Sequence, residues 1–103
     1  MSGGLTKDRS IWKLLAVLAD RLGDRRFQVV DHWDADLFAI GVARTGMPTH
    51  LVYLSTFNQP PGHYSYECEQ LGAAHLEASR RAEGVSIEQL LTVVREHIFE
   101  EVD

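Results

Sequence analysis

The 103-residue sequence predicts an α+β fold: an antiparallel four- to five-stranded meander sheet with N- and C-terminal helices packed on one face, a two-layer sandwich. Three observations carry this. Apolar residues recur at steps of three and four near both ends of the chain, the period of a helix that buries one stripe. Between them, short runs of β-formers are separated by brief Gly, Pro and Asp turns, which favours consecutive antiparallel pairing. The length suits one core, so residues 1–103 form a single domain, with the Gly-rich residues 1–6 expected to be loose.

The first element is a helix over residues 8–22. Thr6, Asp8 and Ser10 each offer an N-cap oxygen for an orphan backbone N–H. Ile11, Trp12, Leu15, Leu18, Ala19 and Leu22 form the stripe, Leu14 widens it, and Gly23 supplies a left-handed stop. Trp12, Leu15 and Leu18 are therefore expected in the core. Phe27–Val30 is a short strand. Leu37–Ala43 is a continuous apolar run, which suits a strand covered on both faces. Arg44–Pro48 reads as a hairpin loop, because Gly46 and Pro48 break regular structure.

The third strand is His50–Phe57, and Asn58–Gly62, with two prolines, is the strongest turn in the chain. His63–Glu69 alternates, with Tyr64, Tyr66 and Cys68 on a buried face and His63, Ser65, Glu67 and Glu69 on a wet one. Residues 73–82 have helical propensity, yet their alternation and the turn at Gly72 favour a fifth strand. Ser86 and Gln89 have capping-box spacing, with Val85 and Leu90 at staple positions. Ile87, Leu90, Leu91, Val94 and Ile98 then form the second stripe. Leu91, Val94 and Ile98 are expected to pack on the same sheet face as the first helix.

Composition narrows the functional classes. Hydrophobic residues make up 45% and charged residues 24%, enough apolar material to order the chain. No apolar run approaches the ~20 residues of a spanning helix, and no secretory pattern is present, so a cytoplasmic location is expected. The single Cys68 excludes an internal disulfide and a Cys-rich zinc site. The net charge is −5, and residues 51–103 hold nine acidic but only three basic side chains. That imbalance disfavours nucleic acid and anionic membranes, and it attracts a basic protein partner. No Gly-rich phosphate loop or dinucleotide fingerprint is present, so no cofactor is expected.

Hairpin register locates the loops. If Ala43 opposes Thr49 and Thr56 opposes His63, then Asp36 lies beside Thr56, and Thr56 beside His63. One end of the sheet gathers Asp31, His32, Asp34, Asp36, Thr56, Asn58 and His63. The other end gathers Arg26, Arg44, His50 and Glu69. The Asp-rich turn has metal-ligand residue types but lacks His-Glu-x-x-His and calcium-loop spacing, so no metal is expected. Short Asp side chains also serve turns by accepting local backbone N–H groups. Trp33 among these acids has the composition of a recognition hot spot. Trp33, Asp34, Asp36, Asn58 and His63 are accordingly the expected partner-binding residues. The same register sets Leu51 opposite Cys68, so the thiol has no histidine neighbour and reads as core. His97, near the end of the last helix, reads as structural, and His75 supports no role.

The segments Asp34–Ala43, Leu51–Phe57 and Pro61–Glu67, followed by the capped terminal helix, resemble small bacterial immunity-type proteins encoded beside polymorphic or contact-dependent toxins. The resemblance implies a protein that binds and blocks one toxin without catalysis, and it carries over no catalytic residue. The expected function is thus a non-enzymatic protein-binding module. A metal-dependent or acid–base hydrolase using the Asp31–Asp36 loop and His63 is the alternative. A homodimeric scaffold is a further one, since Leu37–Ala43 has two apolar faces and the helices cover one.

Overall fold

A computed structural model describes residues 7–30, 35–71 and 76–99. It is an α+β sandwich: a five-stranded antiparallel sheet in the order β1-β2-β3-β4-β5, with two helices. Helix α1 spans Arg9–Leu22, β1 Phe27–Val30, β2 Ala39–Arg44, β3 Met47–Ser55, β4 His63–Leu71, β5 Leu76–Ser86 and α2 Ile87–Ile98. The expectation for residues 1–6 lies outside the described residues, as does His75. No helix among the described residues is long and apolar enough to cross a membrane.

Asp8 caps α1, its carboxylate accepting the Ser10 N–H at 2.9 Å and the Ser10 hydroxyl at 2.6 Å. These bonds hold its carboxyl below the usual carboxylate range, the Ser10 hydroxyl contributing most. Gly23, at φ 98°, ends the helix and donates its N–H to the Ala19 carbonyl. In α2 the capping box forms in both directions: Gln89 N–H to Ser86 Oγ at 3.2 Å, and Ser86 N–H to Gln89 Oε1 at 2.9 Å. Arg21 and Glu88 make a bidentate ion pair that links the two helices at the surface.

Both helices close one face of the sheet. Ile11, Leu14, Leu18 and Leu22 of α1 and Leu90, Leu91, Val94 and Ile98 of α2 join one cluster with Ile40, Val42, Val52, Leu54 and Cys68. Trp12 does not belong to it. The α1 stripe centres on Leu14 and Leu18, which leaves Trp12 at its margin and 45% exposed. Leu15 is only partly buried.

The opposite face is built of cross-strand rows. Ala39 pairs with Ser55 and Ser55 with Ser65; Gly41 with Tyr53, Tyr53 with Glu67 and Glu67 with Arg81; Ala43 with Leu51 and Leu51 with Glu69. Ala39, Ala43 and Leu51 are fully buried on this face. From Ala39 to Ala43 the apolar run is therefore buried on both sides within a single chain, while Leu37 at its start is exposed.

The register differs from the expectation in two places. The β2–β3 turn is the two-residue Thr45-Gly46, with Gly46 at φ 77°, so Pro48 falls inside β3 rather than in a loop. A bulge between Ala43 and Arg44 absorbs the offset, and Ala43 opposes Leu51 instead of Thr49. Between β3 and β4, Ser55 opposes Ser65, one residue from the expected pairing. Cys68 therefore faces Val52 rather than Leu51. Residues 76–86 form one long strand, extending the fifth strand beyond residue 82. Gly84, at φ 69°, sits where the β4–β5 register shifts, a conformation that suits glycine in a bulge.

Candidate functional site

Of the expected partner-binding residues, Trp33 and Asp34 lie outside the described residues, together with Asp31 and His32. Asp36, Asn58 and His63 stand at one end of the sheet, as expected, but in different roles. Asp36 precedes β2 and is fully engaged. Its Oδ1 accepts the Phe38 N–H at 3.0 Å and its Oδ2 accepts the Tyr53 hydroxyl at 3.1 Å. Its carbonyl accepts Lys7 Nζ at 2.7 Å. Thr56 lies beside Phe38 rather than Asp36, donating its N–H to the Phe38 carbonyl at 3.0 Å. Asn58 takes a left-handed φ of 59° in the Pro-rich turn, a conformation asparagine tolerates. His63 is exposed, pairs with Ser86 and has Nδ1 3.3 Å from the Pro61 carbonyl.

Asp36 contributes to an open cleft of about 560 Å³ lined by Ala35, Asp36, Leu37, Phe38, Tyr53, Ser55 and Phe57. Neither Asn58 nor His63 lines it. Phe57 is 60% exposed and Leu37 46%, and the Phe38 and Phe57 rings meet at 5.9 Å in a tilted arrangement. The start of α1 is tied to this corner. Asp8 N–H donates to the Leu37 carbonyl at 2.8 Å, and the Ser10 and Thr56 hydroxyls are 2.6 Å apart. The cleft is thus an apolar rim over a polar floor, held by hydrogen bonds from two sides.

Tyr53 divides this cleft from a second one of about 580 Å³, lined by Tyr53, Ser65, Tyr66, Glu67, Arg81, Ala82 and Glu83. The Tyr53 phenol is pushed up to about 12, first by burial, then by its bond to Asp36 and the charges of Asp36, Glu67 and Glu69. It remains a neutral donor across the physiological range. Glu69 lies farther along the same face. It is 9% exposed, and its Oε1 has no hydrogen-bond partner. Burial, followed by the hydrogen bond and charge of Glu67, pushes its carboxyl up to about 7.

Leu37, Phe38, Tyr53, Phe57, Glu67 and Glu69 were not singled out as site residues in the sequence. Alternation assigned Glu67 and Glu69 to the face away from Tyr64, Tyr66 and Cys68, and that side holds, but the face is not wet throughout, because Glu69 is buried. The missing signal was that Tyr53 and Ser55 share that face, which needs the strand register.

Other chemistry finds less support in the geometry. Among the described residues, no group of three His, Cys, Asp or Glu side chains is placed to hold a metal ion. Cys68 is buried, and desolvation pushes its thiol up to about 11, far from a reactive thiolate. His97 Nε2 donates to the Glu69 carbonyl at 2.8 Å, and its ring meets His50 edge-on at 5.5 Å, so His97 ties α2 to the sheet. The Asp36 carboxylate has a hydrogen bond on each oxygen, from the Phe38 N–H and the Tyr53 hydroxyl. The chain matches no protein-family model, no curated protein and no solved structure.

Proposed function

We propose that this chain is a non-enzymatic protein-binding module of the immunity type, which neutralises a cognate toxin by covering a basic surface of it. One observation carries the reading: the exposed rim of Leu37 and Phe57 stands over a floor containing Asp36 and Tyr53. Exposed aromatic and aliphatic side chains supply the area that is desolvated on docking. The carboxylates of Asp36 and Glu67, with the net charge of −5, draw a basic partner toward it. The pairing of an apolar anchor with acidic surroundings fits an amphipathic cationic segment better than a small substrate. Trp33 and Asp34, expected from the sequence to take part in binding, lie outside the described residues, and Asn58 and His63 stand at the same sheet end as the cleft.

The test is kinetic. With a toxin domain encoded beside this gene, or a partner recovered by pull-down, association should slow as salt rises. Phe57→Ala should leave association nearly unchanged and speed dissociation, by about 2 kcal/mol or more if Phe57 is a central anchor. Glu67→Lys should instead slow association. Unchanged rates for both variants would remove this face from the interface.

A further inference from the structure

The sheet is open, and its two edges are unequal. β1 is 4 residues long, whereas β5 runs for 11. An edge strand turns alternate backbone N–H and C=O groups away from its own sheet, where another strand can take them. Within β5, Arg80, Arg81, Glu83 and Gly84 are exposed, and Ala82 is half-buried. Arg80 pairs with Cys68 and turns toward α2, where it meets Glu96 at 3.1 Å. Arg81 pairs with Glu67 on the other face and lines the second cleft together with Glu83. Arg81 and Glu83 therefore carry opposite charges on one face of the edge strand. Among the described residues neither side chain makes an ion pair or a hydrogen bond.

We propose that β5 is the strand through which two copies of this chain pair antiparallel, joining their sheets into one. The charges select the register. Opposed side chains of an antiparallel pair lie on the same face, so a two-fold axis sets one residue opposite its own copy. A centre at Arg80, Arg81 or Glu83 sets that charge against itself. A centre at Gly84 leaves Arg81 and Glu83 opposite uncharged residues. A centre at Ala82 sets Arg81 opposite Glu83 of the second copy and Glu83 opposite its Arg81, so the symmetry makes the attraction twice. That register also sets Arg80 opposite Gly84, and the small Ala82 stands on the axis, which permits close approach. The bulge at Gly84 is satisfied within the chain, its N–H donating to Gln59 Oε1 at 2.9 Å. Bulges and charges on an edge discourage pairing with unrelated strands; here the same charges fit a second copy. The cleft of Leu37 and Phe57 contains none of these residues, so the dimer stands independently of the toxin-binding reading.

The experiment is sedimentation velocity on the full chain alone, at low salt, from about 10 µM to about 1 mM, the range in which so small an interface dissociates. The expected result is a shift from monomer to dimer across that range. Glu83→Arg and Arg81→Glu should each weaken the dimer about tenfold or more, because two attractions become two repulsions. Both positions are exposed, so both variants should keep the parent's urea midpoint. An equal mixture of the two variants should recover a dimer of about the parent's affinity, since each cation again faces a carboxylate. A parent that stays monomeric throughout would overturn the proposal. So would a dimer indifferent to both charge reversals, which would place the contact elsewhere, or a mixture that pairs no better than either variant alone, which would refute the Ala82-centred register.

Discussion

The two faces of the sheet are made from the same strands and differ in almost every other respect. On the helix side, Ile40, Val42, Val52, Leu54 and Cys68 meet two helices in one continuous apolar cluster. On the other side, Ala39, Ala43 and Leu51 are just as buried, yet their row neighbours are Tyr53, Ser55, Glu67 and Glu69. Among the described residues, the first face has no buried side-chain polar atom left without a partner, whereas the second contains Glu69 Oε1. Burial without satisfaction costs stability. The comparison therefore separates a purely apolar face from one that mixes satisfied hydroxyls with a buried carboxylate oxygen left without a partner, and the latter is the face that leads into the proposed partner surface.

The largest effect expected from this contrast is on the helix side. Leu91→Ala should destabilise the chain by about 2–5 kcal/mol, because Leu91 is fully buried and the surrounding α1 and sheet residues leave little room for collapse. Urea unfolding measures it. A value near zero would mean that α2 adds little to the core, and the distinction between the faces would fall.

Next is Glu69. In the folded chain its carboxyl titrates at about 7, above the ordinary value of 4.5. The folded state thus binds the proton more tightly than the unfolded one. The resulting stabilisation is fully present below pH 4.5 and is lost as pH rises toward and through 7. Glu69→Gln keeps the shape without the charge. It should match the parent at pH 4 and exceed it at pH 8, by an amount on the order of 3 kcal/mol. Unfolding curves at the two pH values test this. A variant less stable than the parent at pH 8 would show that the ionised carboxylate has a partner the comparison denies it.

How much of this was legible in the sequence depends on whether local chemistry or long-range pairing decided each feature. The capping box at Ser86–Gln89 and the stop at Gly23 are local, and both formed as read. The α1 stripe was located, but six apolar residues at helical spacing span a wide arc, and the sequence alone does not say where its margin falls. Trp12 fell outside. The hairpin was misplaced because Gly46 and Pro48 both break structure, and only the bulge at Ala43/Arg44 shows that the strand resumes between them. The resulting slips matter most for the site. A one-residue change between β3 and β4 decides that Tyr53 opposes Glu67 and Leu51 opposes Glu69. Nothing in the alternation of His63–Glu69 distinguishes an exposed Glu69 from a buried one.

The contrast can be sharpened at the cap of the helix that covers the first face. Ser86→Ala removes the acceptor for the Gln89 N–H and leaves only the other half of the capping box, from the residue-86 backbone N–H to Gln89 Oε1. A loss of about 1 kcal/mol is expected, visible as a lower urea midpoint with an unchanged slope. A change of slope would mean that α2 unfolds separately from the sheet.

The smallest effect on stability is expected at the other side's rim, where it is most informative. Phe57 is 60% exposed, and its ring meets that of Phe38 at 5.9 Å. Phe57→Ala removes little buried area, so its stability should stay within about 0.5 kcal/mol of the parent. A residue that costs the fold nearly nothing to lose, yet keeps an aromatic surface in water beside Asp36 and Tyr53, is what a recognition anchor requires. The stability measurement therefore decides how the binding assay is read. If Phe57→Ala unfolds with the parent's midpoint and still loses the partner, the loss belongs to the interface. If it lowers the midpoint by as much as the Leu91 variant does, Phe57 is a core residue of the second face, and the apolar rim must be sought elsewhere on the molecule.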